Sequence, residues 1–227
     1  MKLKSKSKPK VEIRKVLNAD GMVNLLVEEF GKIKDHRKNK PKISLSDCLM
    51  SGYAIFSLKF PSLLAFDERD DKGRNLEKMY RINKTPSDTH MREVLDEIIP
   101  DEIYPIFGKL FSELQRGKDL LTFRFLEDYY LISGDGTGYF SSDKVHCENC
   151  LEKKNKKTGK TICYHHQFYG LCMVHPEQKT VIPFAPEAII KQDGDNKNDG
   201  ERNASKRGLT RFRWNHPHLK PLLWKMD

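Results

Sequence analysis

Residues 129–138 read YYLISGDGTG, a short aromatic and aliphatic run followed by glycines on both sides of one acidic residue. The run from Tyr129 to Ile132 departs from the helical spacing that precedes it and is typical of a β-strand, and the Ser and Gly residues after it are typical of a strand end. Asp135 is therefore expected at a strand end with room for a metal ion or a phosphate to approach. A plain Asp-Gly turn is the alternative.

The residues after this strand predict an antiparallel sheet followed by a helix. A lysine-rich loop is expected over 152–160, and strands over 167–175 and 180–184 with a turn at Pro176 between them. A polar loop over 191–199 leads to a helix over 201–214, which is rich in Arg and Lys and ends near Pro217.

The residues before the strand predict helices. Apolar side chains recur at helical spacing over 21–34, 45–58, 74–82 and 102–116. In the second of these ranges, Leu45, Leu49 and Phe56 are expected on the apolar side. A further helix is expected to begin at Thr85, followed by Pro86 in its first turn, and to close at Pro100. The fold class is α+β, with a helical N-terminal region followed by three antiparallel strands and a helix.

Composition favours a basic globular protein that binds a polyanion. The chain has 227 residues with 41 Lys and Arg against 32 Asp and Glu, a net charge of +9, and 37% hydrophobic residues, which is too apolar for general disorder. No apolar run approaches the ~20 residues of a membrane helix, and the start lacks the apolar core of a signal peptide. We therefore expect a cytoplasmic protein with no membrane partner. The basic arm over 1–20 is expected to lie near phosphates or to be a solubilising tail.

The cysteines suggest a zinc site. Cys147 and Cys150 form a Cys-x2-Cys pair, and Cys163 follows with His165 and His166 directly behind it. Three thiolates and one imidazole, from His165 or His166, are a donor set that a structural zinc ion uses. Reduced thiols without a metal are the alternative.

Two helices are candidates for binding DNA. The pair around residues 83–86 resembles a helix-turn-helix, whose second helix would offer Thr89, His90 and Arg92 to a groove. A helical hairpin packed for stability is the alternative. The helix over 201–214 carries basic residues for phosphate contacts: Arg202, Lys206 and Arg207.

Several longer segments together resemble the bacterial insertion-sequence transposases of the DDE type. They are LISGDGTGYFSS (131–142), HCENC (146–150), YHHQFYG (164–170), PEAIIKQDGDNKNDGERNASKR (186–207) and HPHLK (216–220). Two upstream segments, KFPSLLAF and TPSDTHMREVLDE, resemble the helical N-terminal region of those proteins. The resemblance implies a ribonuclease-H-like catalytic domain, in which three antiparallel strands are followed by a helix and a parallel strand.

The resemblance also implies a chemistry and its residues. Three carboxylates of such enzymes hold two magnesium ions that activate water, and later a 3′-hydroxyl, for attack on DNA phosphodiesters. Asp135 matches the first carboxylate and would be a catalytic magnesium ligand. The implied partner is transposon terminal-repeat DNA, with a homodimer or an intact transposase as a further partner.

The C-terminal residues depart from the family. Members continue from HPHLK into an apolar strand and Glu-Asp-Gly, whereas this chain reads PLLWKMD, and back-translation in a shifted frame can read an apolar residue followed by Glu-Asp-Gly. We therefore expect a chain truncated by a frameshift near residue 221, without the second and third carboxylates and inactive alone. The alternatives are that Asp227 substitutes for the second carboxylate one residue late, or that this is a natural short protein. The missing strand should leave the strand with Asp135 an unpaired edge.

The expected organisation is a basic arm over 1–20, a helical DNA-binding region over 21–120 and the N-terminal half of a ribonuclease-H-like domain over 121–227. The expected function is that of a transposase fragment. One alternative is a non-catalytic DNA-binding protein acting at transposon ends. Another is an independent metal-dependent nuclease that completes its site with Asp193, Asp195 or Asp199.

Overall fold

The computed structural model describes residues 16–39, 41–68, 74–191 and 200–225. The chain divides between Lys118 and Asp119 into two compact units, the first helical and the second a sheet with one long helix. Residues 1–15 of the arm predicted over 1–20 lie outside the described residues. The first helix begins at Ala19, within the last two positions of that predicted arm. None of the helices in the described ranges is long and apolar enough to cross a membrane.

The described part of the helical unit contains six helices. In chain order they are α1 (Ala19–Phe30), α2 (Leu45–Ser57), α3 (Leu63–Asp67), α4 (Arg74–Tyr80), α5 (Asp88–Leu95) and α6 (Pro100–Arg116). Their apolar faces form one core, which includes Leu26, Phe30, Leu49, Met50, Phe66, Met91 and Val94. Amphipathic spacing therefore predicted α1, α2, α4 and α6 but not α3, and Phe56, which was expected on the apolar side of α2, is 84% exposed.

Side-chain caps set the starts of these helices. The Oδ1 atom of Asn18 accepts a hydrogen bond from the Gly21 amide at 2.8 Å, and Ser44 caps α2 in the same way. The cap of α5 is Ser87, which accepts from the His90 amide, so this helix begins three residues after the predicted Thr85. The predicted end at Pro100 is also wrong, because Pro100 is the first residue of α6, where its missing amide proton is not needed.

The turn before α5 is held by a buried carboxylate. Asp47 of α2 is 6% exposed, and its Oδ1 atom accepts a hydrogen bond from the Asn83 amide at 2.9 Å. This hydrogen bond satisfies a backbone donor in the connection between α4 and α5. It holds that connection against α2 just before α5 begins.

The second unit begins with a 3₁₀ turn at Asp119–Phe123 and continues with strands. These are β1 (Arg124–Phe125), β2 (Tyr129–Ser142), β3 (Leu151–Lys154), β4 (Thr161–Val174), β5 (Ile182–Pro183) and β6 (Glu187–Ile189), followed by helix α7 (Glu201–Asn215) and strand β7 (Pro221–Lys225). The strand predicted over 180–184 is shorter than expected, and β3 occupies the first part of the loop predicted over 152–160.

Strands β2 and β4 are the centre of the sheet. They run antiparallel from the pair Leu131–Val174 to the pair Ser142–Tyr164, with a β-bulge between Gly138 and Phe140. On the far side of β4 lie β3, β5 and β6, all antiparallel to it. Because β2 continues to Ser142, Asp135 lies in the middle of a 14-residue strand and not at the strand end that was predicted.

The other edge of β2 is covered by β7, which runs parallel to it. The pairs extend from Tyr130–Pro221 to Gly134–Lys225. The expectation of an unpaired edge is therefore wrong for residues 130–134. The apolar sequence of Pro221, Leu222 and Leu223 is sufficient to form a strand here.

Helix α7 packs on one face of the sheet. Phe212 of α7 contacts Phe184 edge-to-face with ring centroids 4.9 Å apart, and the ring of His216 lies 5.1 Å from that of Phe184. Burial lowers the pKa of His216 to about 4. Ile132, Leu171 and Met173 lie on this side of the sheet and are almost fully buried.

Candidate metal centre and the Asp135 strand

The loop after β2 brings two cysteines together. The Oγ atom of Ser142 accepts from the amides of Lys144 and Val145 at 3.1 and 2.9 Å, which turns the chain as it leaves the strand. A tight turn follows, in which the Cys150 amide donates to the Cys147 carbonyl at 3.2 Å. The Cys147 amide donates to the Cys150 sulfur at 3.3 Å, so both sulfurs are held at one side of the turn.

His166 of β4 completes the cluster. Its Nε2 atom lies 3.3 Å from each sulfur, and the two sulfurs are 3.7 Å apart. A tetrahedral zinc ion with Zn–S bonds of about 2.3 Å and a Zn–N bond of about 2.0 Å separates its ligands by about 3.8 Å (S to S) and about 3.5 Å (S to N). Within the described residues, Cys147, Cys150 and His166 are the one group of three ligands close enough to share a metal ion.

The surroundings of the cluster are partly apolar. Cys150 is 1% exposed, and Tyr139 stacks on the ring of His166 at 5.7 Å with the planes 15° apart. Burial raises the pKa of the Cys150 thiol, and burial together with the charge of His165 lowers the pKa of His166. A lower pKa favours the neutral imidazole, which is the form that binds metals.

The other two predicted zinc ligands lie elsewhere. Neighbouring residues of a strand point to opposite faces, so Cys163 and His165 lie on the face of β4 opposite His166. Cys163 contacts the Ser141 hydroxyl at 3.0 Å and, with His165 and Lys153, lines a shallow depression. The structure thus groups Cys147 and Cys150 with His166, and it does not bring Cys163 or His165 to them.

Asp135 is an exposed carboxylate one residue beyond the last pair between β2 and β7. Its Oδ1 atom accepts a hydrogen bond from the amide of Gly136 at 2.9 Å. Asp135 of β2 pairs with Gly170 of the neighbouring strand β4. His166 lies on the same face of the sheet, four residues from Gly170 along β4, which is about 13 Å at the spacing of residues in a strand.

The glycines beside Asp135 have a packing role on the other face. A Cβ atom at Gly134 would clash with the Tyr169 hydroxyl, and one at Gly136 would come within 2.7 Å of the Glu201 carboxylate. Burial raises the pKa of Tyr169, and the charges of Glu201 and Asp135 raise it further. The packing of Tyr169 and Glu201 against these glycines was not predicted from the sequence. The sequence did contain one signal for this packing, because two glycines at alternate positions of a strand indicate that another group packs closely against that face.

The predicted DNA-binding residues of α5 are accompanied by acidic neighbours. Thr89 and Arg92 are exposed, and Arg92 forms an ion pair with Asp88 at 2.8 Å. His90 lies 3.9 Å from the Glu93 carboxylate. His90 also borders a depression of about 740 Å³ whose basic lining was not predicted: Arg37, Lys38, Lys42 and Lys84.

The predicted DNA-binding residues of α7 divide into two groups. Arg202 and Lys206 are exposed. Arg207 donates from Nε to Glu187 of β6 at 2.8 Å and from a terminal nitrogen to the Ala188 carbonyl at 3.0 Å, so it fastens α7 to the sheet.

The residues of the alternative nuclease site, Asp193, Asp195 and Asp199, lie outside the described residues, as does Asp227. Comparisons of the chain with protein-family models, curated proteins and solved structures found no match. The chemistry of the described residues is therefore the basis for a proposed function.

Proposed function

We propose that this chain is a DNA-binding protein of the DDE transposase type, whose sheet unit is ribonuclease-H-like. The order of the strands is the observation that carries the proposal. Across the sheet, β7 lies next to β2, β2 next to β4, and β5 and β6 lie beyond β4. Among the strands in the described residues, only β7 is parallel to its neighbour, and α7 connects the antiparallel strands to it. This is the order that the resemblance of the sequence implies.

The position of Asp135 supports the same proposal. It follows directly after the last pair between the two parallel strands, Gly134–Lys225, and its side chain is exposed. A carboxylate oxygen is a ligand that magnesium prefers. Two magnesium ions need several such ligands, and the described residues contain no group of three carboxylates. They do not fit a pair of magnesium ions, so no cleavage step is assigned to them.

The basic depression in the helical unit supports DNA binding without catalysis, which is the second candidate function. Lys38, Lys42 and Lys84 surround it, and the His90 end of α5 borders it. Lysine side chains in one depression neutralise neighbouring phosphates of a nucleic acid backbone. This arrangement supports binding to a DNA backbone, and transposon ends as the target follow only from the resemblance of the sequence.

Fluorescence anisotropy with a labelled 30-base-pair duplex at increasing salt tests the proposal. Each phosphate contact contributes about −0.9 to the slope of log K against log salt, so replacing Lys38, Lys42 and Lys84 with Gln should reduce the magnitude of the slope by about 2.7. The matched control replaces three exposed lysines of the β3–β4 turn with Gln: Lys156, Lys157 and Lys160. An equal slope in the depression variant and the wild type would overturn the assignment of the depression to DNA.

Selection from a pool of random duplexes tests the transposon-end part of the proposal. The chain should enrich a defined sequence, and that sequence should occur as an inverted repeat on both sides of the gene. Enrichment of no sequence would contradict the proposal of a transposase and leave only general binding to the DNA backbone.

A further inference from the structure

We propose that Cys147, Cys150 and His166 bind one zinc ion that fastens the β2–β3 connection to β4. The proposal is independent of the transposase function, because it depends only on three side chains and their separations. The three separations, 3.3, 3.3 and 3.7 Å, are close to the edges of a tetrahedral zinc site, about 3.5 and 3.8 Å.

The ligand types select zinc over the other common divalent ions. Two thiolates and one imidazole suit a borderline soft ion, whereas magnesium and calcium prefer oxygen ligands. Zinc is four-coordinate in structural sites, so one further ligand completes the coordination. The expected ligands are two sulfurs, the His166 nitrogen and this fourth atom.

Neighbouring groups orient two of the ligands. The Cys147 amide donates a hydrogen bond to the Cys150 sulfur and holds it on one side of the turn, and Tyr139 stacks on His166 and orients the plane of the imidazole. Neighbouring Leu151 is 1% exposed and anchors the turn to the sheet. The turn that contains Cys147 and Cys150 therefore lies against the strand that carries His166, with the three side chains side by side.

The zinc ion would cross-link a segment that has few regular hydrogen bonds. Residues 143–150 contain no helix or strand, and they connect the end of β2 to β3. His166 belongs to the central strand β4, which pairs with both. Zinc binding would therefore order this connection on the same face of the sheet as Asp135.

Metal analysis of the full chain, expressed in zinc-supplemented medium and purified without chelator, tests the proposal. We expect about one equivalent of zinc in the wild type, and less than a tenth of that in Cys147→Ser and His166→Ala. The matched controls are the residues that sequence analysis favoured, and Cys163→Ser and His165→Ala should keep the wild-type content. A zinc content near zero in the wild type would overturn the proposal. Loss of zinc in Cys163→Ser equal to that in Cys147→Ser would overturn this ligand set.

A second measurement separates loss of a ligand from loss of the fold. His166→Cys supplies another zinc ligand at the same position, so it should retain zinc where His166→Ala does not. Replacement of zinc by Co²⁺ should give the thiolate charge-transfer band and strong visible absorption of tetrahedral cobalt. If His166→Cys loses zinc while its circular dichroism matches the wild type, His166 is not a ligand.

Discussion

Arg207 of α7 and Glu187 of β6 form an ion pair of 2.8 Å between the Arg Nε and Glu Oε1 atoms. The other carboxylate oxygen of Glu187 lies 2.9 Å from a terminal nitrogen of Arg211. Glu187 is 7% exposed, and two arginines one helical turn apart therefore share one buried carboxylate. The charge of α7 thus has two roles, because Arg202 and Lys206 face solvent while Arg207 and Arg211 hold the helix on the sheet.

The first prediction is that Glu187→Gln destabilises the sheet unit. The substitution keeps the shape but leaves two guanidinium groups without their buried carboxylate, which costs about 1–3 kcal/mol of unfolding free energy. Urea unfolding followed by circular dichroism measures the loss. Glu177→Gln, at an exposed turn position, is the control and should change stability by less than about 0.5 kcal/mol. Equal midpoints for the two variants would contradict a structural role for the ion pairs.

The second prediction concerns the glycines of β2. An added Cβ atom at Gly134 would clash with the Tyr169 hydroxyl and lie 2.7 Å from the Leu171 Cδ2 atom, and Leu171 is buried. Gly134→Ala should therefore reduce the unfolding free energy by about 1–3 kcal/mol through overpacking. At Gly138 the nearest atom would be 3.8 Å away, so Gly138→Ala should be tolerated. Thermal unfolding of both variants checks this, and equal melting temperatures would show that Gly134 is not needed for packing.

The third prediction is a pH dependence caused by His216. Burial lowers the pKa of this imidazole from 6.5 to about 4 in the folded state. Between these pH values the unfolded state binds a proton that the folded state does not, so stability falls as pH falls from 6.5 to 4. Allowing for partial exposure, the contribution is about 1–2 kcal/mol.

His216→Phe is the variant that checks this pH dependence. It keeps an aromatic ring beside Phe184 and Phe212 but cannot bind a proton, so its loss of stability between pH 6.5 and 4 should be smaller than that of the wild type. Exposed His218→Gln is the control and should retain the wild-type pH dependence. Parallel stability curves for wild type and His216→Phe would show that another group is responsible.

The sequence predicted elements well where local spacing determines them and poorly where pairing does. The helix-forming composition of 201–214 and the stop signal of Pro217 identified α7 to within one residue, because both signals are local in the sequence. The length of β2 was not predictable from YYLISGDGTG, because its glycines resemble a turn until Tyr169 and Leu171 are known to pack against them. Strand β7 was missed because PLLWKMD differs from the strand sequence that the resemblance led us to expect after HPHLK.

The candidate metal centre shows the same division. The Cys-x2-Cys spacing was enough to identify Cys147 and Cys150, since both ligands belong to one turn. The choice between His165 and His166 depends on which face of β4 the turn reaches, and adjacent residues of a strand face opposite sides. Without the register of the strands, the sequence does not decide between His165 and His166. For the same reason Cys163 was predicted as a zinc ligand, although it lies on the opposite face of β4.

The last prediction is that the chain does not cleave DNA on its own. Two metal ions about 4 Å apart need several carboxylates, and the described residues offer Asp135 on an exposed strand face without a group of three acidic ligands. Incubation of the chain with supercoiled plasmid and Mg²⁺ or Mn²⁺ should therefore give no nicked circles. Asp135→Asn should bind the labelled duplex as the wild type does, as should exposed Asp143→Asn. Metal-dependent nicking that is lost in Asp135→Asn and kept in Asp143→Asn would mean that further residues of this chain complete a nuclease site around Asp135.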